Sequence, residues 1–225
     1  LSSMGEMINN IAHQWRQPLN NINLLIHFVR DNYNNKHFTK KDLDDSISSA
    51  KVQIDYMSQT IDDFSDYYKP TKNKALFDIK SSIEKSAKIV ATQFEVNDIT
   101  LEIEDNNVEV DGFENEFHQV IVNILNNAKD AAIIKKHNVD FKAVVSVKIE
   151  RQEDKAILQI INNCGEASRE VLDRMFEPYF TTKFETQGTG IGLYMTKTII
   201  ETNMNGRITA QNIRDGLKFI IILPL

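Results

Sequence analysis

Much that would point to other functions is missing from this chain of 225 residues. It has one cysteine, Cys164, so no internal disulfide can form, and a reducing compartment such as the cytoplasm is expected. It lacks the excess of Lys and Arg that a phosphate-tracking surface needs. The formal net charge is −6 and the pI about 5.4, so nucleic acid is not an expected partner. It also lacks a long apolar run. Phe219 to Leu223 is far below the roughly 20 residues of a spanning helix, so this stretch is not expected to contact a membrane. There are no internal repeats or low-complexity tracts. The chain opens at Leu1 inside a helix-like pattern, as expected of a fragment whose sensor or membrane segment lies upstream.

What is present begins with two helical seams. Met4, Ile8, Ile11, Trp15, Pro18, Ile22, Leu25 and Val29 recur in steps of four and three. Leu43, Ile47, Ala50, Ile54, Met57, Ile61, Phe64 and Tyr68 repeat that spacing beyond the polar stretch Asn34 to His37, which predicts an antiparallel hairpin. One hairpin with two seams buries too little area alone, so pairing into a four-helix homodimer is expected. Pro70 to Lys74 reads as a linker, giving a helical domain over 1–70 and a second domain over 75–225. In the second, periodicity predicts helices near 80–92, 114–136 and 191–203 and strands near 99–104, 143–150, 155–161, 207–211 and 217–223. The fold class is α+β, with a mixed or mostly antiparallel sheet covered by helices on one face.

Four stretches carry chemistry. His13 lies about 200° around the helix from Ile11 and so points away from the seam, with Arg16, Gln17 and Asn20 nearby and Pro18 expected to kink the helix. Position alone would make it an ordinary surface histidine. Asn123 and Asn127, four apart, share a helix face and could offer amide oxygens to a hard cation such as magnesium. Gly188, Thr189, Gly190, Ile191, Gly192 and Leu193 open a helix with three glycines, a place where backbone amides can approach phosphates. Lys183, just before, could add positive charge.

The order His-Gln-Trp-Arg-Gln-Pro-Leu (13–19), Asn-Ile-Leu-Asn-Asn-Ala (123–128), Phe-Glu-Pro-Tyr-Phe-Thr-Thr-Lys (176–183) and Gly-Thr-Gly-Ile-Gly-Leu (188–193) resembles sensor histidine kinases over nearly the whole chain. The resemblance implies a helical hairpin for dimerisation and histidine phosphotransfer, followed by an ATP-binding α/β sandwich of the GHKL (Bergerat) type. It implies that His13 accepts phosphate from ATP and passes it to an aspartate of a response-regulator receiver domain. It makes Asn127 the Mg2+ ligand and Asn123 its companion on the phosphate side. Asp130, Asn162, Lys183 and residues 188–193 join the nucleotide site.

One motif and one further residue depart from the family. Where relatives read Asp-x-Gly-x-Gly, this chain has Asn162-Asn163-Cys164-Gly165-Glu166. The adenine-reading carboxylate is an amide there, any positive φ at Cys164 or Glu166 would be strained, and Glu166 adds negative charge beside a polyanion. Nucleotide affinity is at stake in this segment. Gln14 replaces an acid found in many relatives and cannot serve as a general base, so slower transfer is expected. Gln17 stands where relatives hold a polar residue that positions water for dephosphorylating a partner. Two rival functions follow: a phosphatase-biased or catalytically weak binding module, and a water-activating ATPase. The second needs a Glu where Asn123 stands.

Overall fold

A computed structural model describes the backbone of residues 2–35, 37–68, 74–182 and 190–225, with side chains described from residue 15 onward except over 59–73. The chain forms two compact units, one holding Leu1–Lys69 and the other Pro70–Phe180 with Gly190–Leu225.

The first unit is a helical pair, α1 (Ser2–Asn32) and α2 (Lys40–Tyr68), packed on one another. α2 starts where it does because Thr39 and Asp42 form a capping box. The Asp42 carboxylate accepts from the Thr39 backbone N–H at 2.8 Å, and the Asp42 N–H donates to the Thr39 hydroxyl at 3.2 Å. α1 runs as one helical segment through Pro18, which is buried. On α2 the expected seam is only partly covered: Leu43, Ala50 and Met57 are half-buried, Ile47 and Ile54 are exposed, and Ser46 is buried. Ser46 is tolerated inside because its hydroxyl donates to the Asp42 carbonyl at 2.7 Å.

The second unit is a five-stranded mixed sheet in the order β2-β4-β5-β7-β6, with a separate two-stranded ribbon. β2 (Ile99–Ile103) runs parallel to β4 (Ala143–Gln152). β5 (Lys155–Asn162), β7 (Gly216–Pro224) and β6 (Arg207–Ile213) add antiparallel neighbours. The ribbon pairs β1 (Ala75–Asp78) with β3 (Glu109–Gly112); at four residues each, both strands are too short for sequence periodicity to reveal. The helices are α3 (Ile79–Val96), α4 (Glu114–Lys136), the short α5 (Arg169–Arg174) and α6 (Gly192–Thr198). α6 continues into a π-turn, Ile199–Asn203, which brings the Asn203 amide to the Glu116 carboxylate at 2.7 Å.

The core lies between sheet and helices. β5 alternates strictly, burying Ala156, Leu158, Ile160 and Asn162, and in α4 the residues Phe117, Val120, Ile121, Ile124, Leu125, Ala128 and Ala132 are buried. Burying each large side chain stabilises the unit by about 1.5–3 kcal/mol relative to exposure. None of the described helices is long and apolar enough to cross a membrane.

Candidate nucleotide and phosphotransfer sites

α4 orders its own electrostatics, with Glu114 and Glu116 in its first turn and Lys135 and Lys136 in its last, each sign opposed to the helix dipole. One face carries Asn123 and Asn127. The Asn123 amide donates to the Gly192 carbonyl at 3.2 Å, hooking the start of α6 onto α4. Asn127 is half-buried, and its side chain makes no hydrogen bond to any described residue. Its neighbour Asn126 instead accepts from Lys129 at 3.4 Å, and Asp130 lies 3.6 Å from the same ammonium group. The sequence offered three asparagines in five residues; folding leaves the Asn127 amide oxygen without a donor among the described residues.

At the glycine-rich segment, Gly190 has φ +66°, and a Cβ there would lie 2.4 Å from the Tyr179 carbonyl carbon. Tyr179 is itself left-handed at φ +66°, and its N–H donates to the Gly190 carbonyl at 2.9 Å. The two ends of the intervening loop are thereby clasped together, and only glycine fits at 190. Gly192 is different: a Cβ there would stand 3.6 Å from the Asn123 amide carbon, an ordinary contact. Ile191 is fully buried and Leu193 packs against the core, so their side chains anchor the loop's exit. Lys183, Gly188 and Thr189 lie outside the described residues.

The segment after β5 is built as a tight polar turn. Asn162 continues the inward phase of the strand, is 6 % exposed, and its Oδ1 accepts from the Cys164 N–H at 3.0 Å. Asn163 prolongs the sheet with its side chain: Oδ1 accepts from Val144 N–H at 2.9 Å and Nδ2 donates to the Lys142 carbonyl at 2.8 Å. The strain feared at Cys164 and Glu166 does not arise. The positive φ falls on Gly165 alone, at +109°, and its N–H donates to the Asp215 carbonyl at 3.0 Å. Glu166 is exposed, which leaves its charge solvated. Cys164 is buried, and desolvation pushes its thiol above the usual range against the opposing pull of Lys135, so it stays neutral.

Sequence reasoning passed over Lys135. Its ammonium donates to the Asn163 carbonyl at 2.8 Å and lies 4.5 Å above the Phe141 ring, tying the end of α4 to the turn after β5. Asn127 sits eight residues earlier on that helix, about 12 Å along its axis. At the end of α5, the Arg174 guanidinium stacks 4.5 Å from the Phe180 ring centre while pairing with Glu170 and Glu177. Phe176 packs edge-on against Phe219.

On α1, the backbone at His13 and Gln14 is helical, but their side chains lie outside those described. Arg16, Gln17 and Asn20 are exposed together on one stretch, and Trp15 is half-buried.

Residues 112–225 match the family model described as histidine kinase-, DNA gyrase B-, and HSP90-like ATPase, and residues 3–73 match the His Kinase A (phospho-acceptor) domain. Among curated proteins, the two-component sensor PprA of Pseudomonas aeruginosa is 27% identical over 228 residues, spanning 100% of this chain and 25% of its own length. Sensor protein DegM of a Bacillus species is 25% identical over 98% of this chain and 55% of its own. Sporulation kinase A of Bacillus subtilis is 25% identical over 100% of this chain and 35% of its own. The chain thus spans a quarter to just over half the length of these relatives. Among solved structures, histidine kinase ThkA in complex with response regulator protein TrrA aligns over 100% of this chain and 62% of its own, with a TM-score of 0.72 at 21% identity. The catalytic domain of ThkA alone aligns over 68% of this chain and 95% of its own, with a TM-score of 0.58 at 24% identity.

Proposed function

This chain belongs to the sensor histidine kinases, with an ATPase-type domain of the histidine kinase, gyrase B and HSP90 class, and from that premise we propose that it transfers the γ-phosphoryl group of ATP to His13 and then to a response-regulator aspartate. The observation that carries the reading is the α4 face: Asn123 is hooked to the Gly192 carbonyl, and Asn127 presents an amide with no partner among the described residues. That oxygen suits a hard cation. No cluster of three or more His, Cys, Asp or Glu able to hold a metal occurs among the described residues, so magnesium would share Asn127 with phosphate oxygens and water. When bound, it would neutralise charge on the β- and γ-phosphates.

The rest falls to the chain's own residues. The unprotonated ring nitrogen of neutral His13 attacks the phosphorus in line; the N–P bond forms as the bond to the β-phosphate oxygen breaks and ADP leaves. Gln14 orients the imidazole without taking its proton. Gln17, exposed one turn on, is suited to position the water that hydrolyses the partner's aspartyl phosphate, releasing inorganic phosphate. Domains 1–70 and 75–225 divide these tasks, the first presenting His13 and the second holding nucleotide. The exposed apolar residues of α1 and α2 support a homodimer, and the ThkA complex supports a receiver domain as partner. A cytoplasmic location fits all of these partners.

Incubation with γ-labelled ATP tests the proposal. Label is expected on the native chain and absent from His13→Ala; label that persists in the variant sinks the assignment. A second reading, a binding module biased toward phosphatase action, is favoured by Asn162, whose Oδ1 accepts from the Cys164 N–H and so turns the donor Nδ2 away from it. Titration with a nonhydrolysable ATP analogue and magnesium separates the two, since absence of binding at millimolar ligand favours the module. A water-activating ATPase is disfavoured because the Asn123 amide is no base and is already committed to Gly192.

A further inference from the structure

The orientation of the Asn162 amide follows from its neighbour. The Cys164 N–H, 3.0 Å away, is a donor and needs an acceptor, so Oδ1 must face it and Nδ2 must face away. Nδ2 has no hydrogen-bond partner among the described residues, and it is not among the sealed, unpartnered polar atoms of the interior, so it opens onto accessible space. The strand register says which space. Asn162 shares the inward phase of Leu158 and Ile160, on the buried face of the sheet. Lys135 ties the turn to the end of α4, the helix that carries Asn127 about 12 Å away along its axis. An extended nucleoside triphosphate with its phosphates near Asn127 would bring its base to this end.

Resting on the nucleotide-binding reading above, we propose that Asn162 sets the base preference of the site and turns it from adenine toward a 6-oxopurine. A carboxylate here could accept from Cys164 with one oxygen and from the adenine 6-amino group with the other. The amide keeps the first contact but presents N–H in place of the second acceptor, so adenine meets it donor to donor. A 6-oxopurine such as hypoxanthine or guanine carries a carbonyl at that position and accepts from Nδ2. An unpaired donor pair in a nearly buried site weakens binding by roughly tenfold or more.

The test is calorimetric titration of the whole chain, in magnesium chloride, with ATP and with inosine triphosphate, which differs in the base at position 6 and the adjoining N1. The native chain is expected to bind inosine triphosphate about tenfold or more tighter than ATP, and Asn162→Asp to reverse the order, with a thermal melt showing that the variant is folded. Native binding of ATP as tight as or tighter than that of inosine triphosphate overturns the proposal without needing the variant. Unchanged preference in folded Asn162→Asp also overturns it, as does ATP binding recovered in the variant from a native chain that binds neither nucleotide. If native chain and folded variant both bind neither, the nucleotide-binding reading itself has failed, and the base preference goes with it.

Discussion

The two units treat their apolar residues in opposite ways. In the α/β unit, alternation along β5 and the buried stripe of α4 leave Leu158, Ile160, Phe117 and Leu125 sealed. In the helical pair, Leu24 is 65% exposed, Ile47 58% and Ile54 52%. Both patterns come from regular apolar spacing, yet only one is satisfied within a single chain. A sheet with helices on it closes its own core, whereas two helices shield only part of their seams from water.

The largest effect that sharpens this contrast is expected from Leu158→Ala, which should destabilise the α/β unit by about 2–5 kcal/mol in chemical denaturation, while Leu24→Ala should change the stability of its own chain by about 0.5 kcal/mol or less. Similar losses in both would break the comparison. Gly190→Ala should cost about 1–3 kcal/mol, because the added methyl collides with the Tyr179 backbone and φ is left-handed; thermal melting reads the cost directly. On the helical pair, Leu24→Asp with Ile54→Asp should raise the dimer dissociation constant about tenfold or more in sedimentation, and leave the melting of the α/β unit unchanged.

The smallest effect concerns pH. Burial holds His118 below the ordinary histidine value, against the upward pull of Glu114, whose carboxylate is 3.5 Å away. The neutral ring is therefore favoured in the folded state. Its contribution is present above the unfolded value of about 6.5 and is lost as pH falls through the lower folded value. Stability of the α/β unit should decline below about pH 6.5, and His118→Gln should flatten that part of the profile.

Much of the fold was legible because long elements repeat their apolar positions many times. α4 and the strands β4, β5 and β7 follow their expected spans closely. β1, β3 and α5 were not legible: four or six residues hold too few periods, and these segments take their structure from partners such as the β1–β3 pairing. The helix expected over 191–203 turned out to end at Thr198 and pass into a π-turn, at whose end the Asn203 amide meets the Glu116 carboxylate, a contact that local periodicity does not reveal. Of the candidate site, the Asn123–Asn127 pair and Gly190 could be named from spacing, while Lys135 could not, because its partner is the Asn163 carbonyl, 28 residues away.

By itself the sequence determined the kinds of group available and their order along the chain: a histidine on a helix turned away from its apolar seam, asparagines one turn apart, glycines ahead of a helix, and an amide where relatives hold an acid. Periodicity and chemical identity suffice for that, since both are local. Only the tertiary structure decided how those groups are used. It placed the positive φ on Gly165, exposed Glu166, turned Ile191 into the core and committed the Asn162 oxygen to Cys164. A hydrogen bond depends on distance and direction between atoms, and those exist only after the backbone has brought donor and acceptor together.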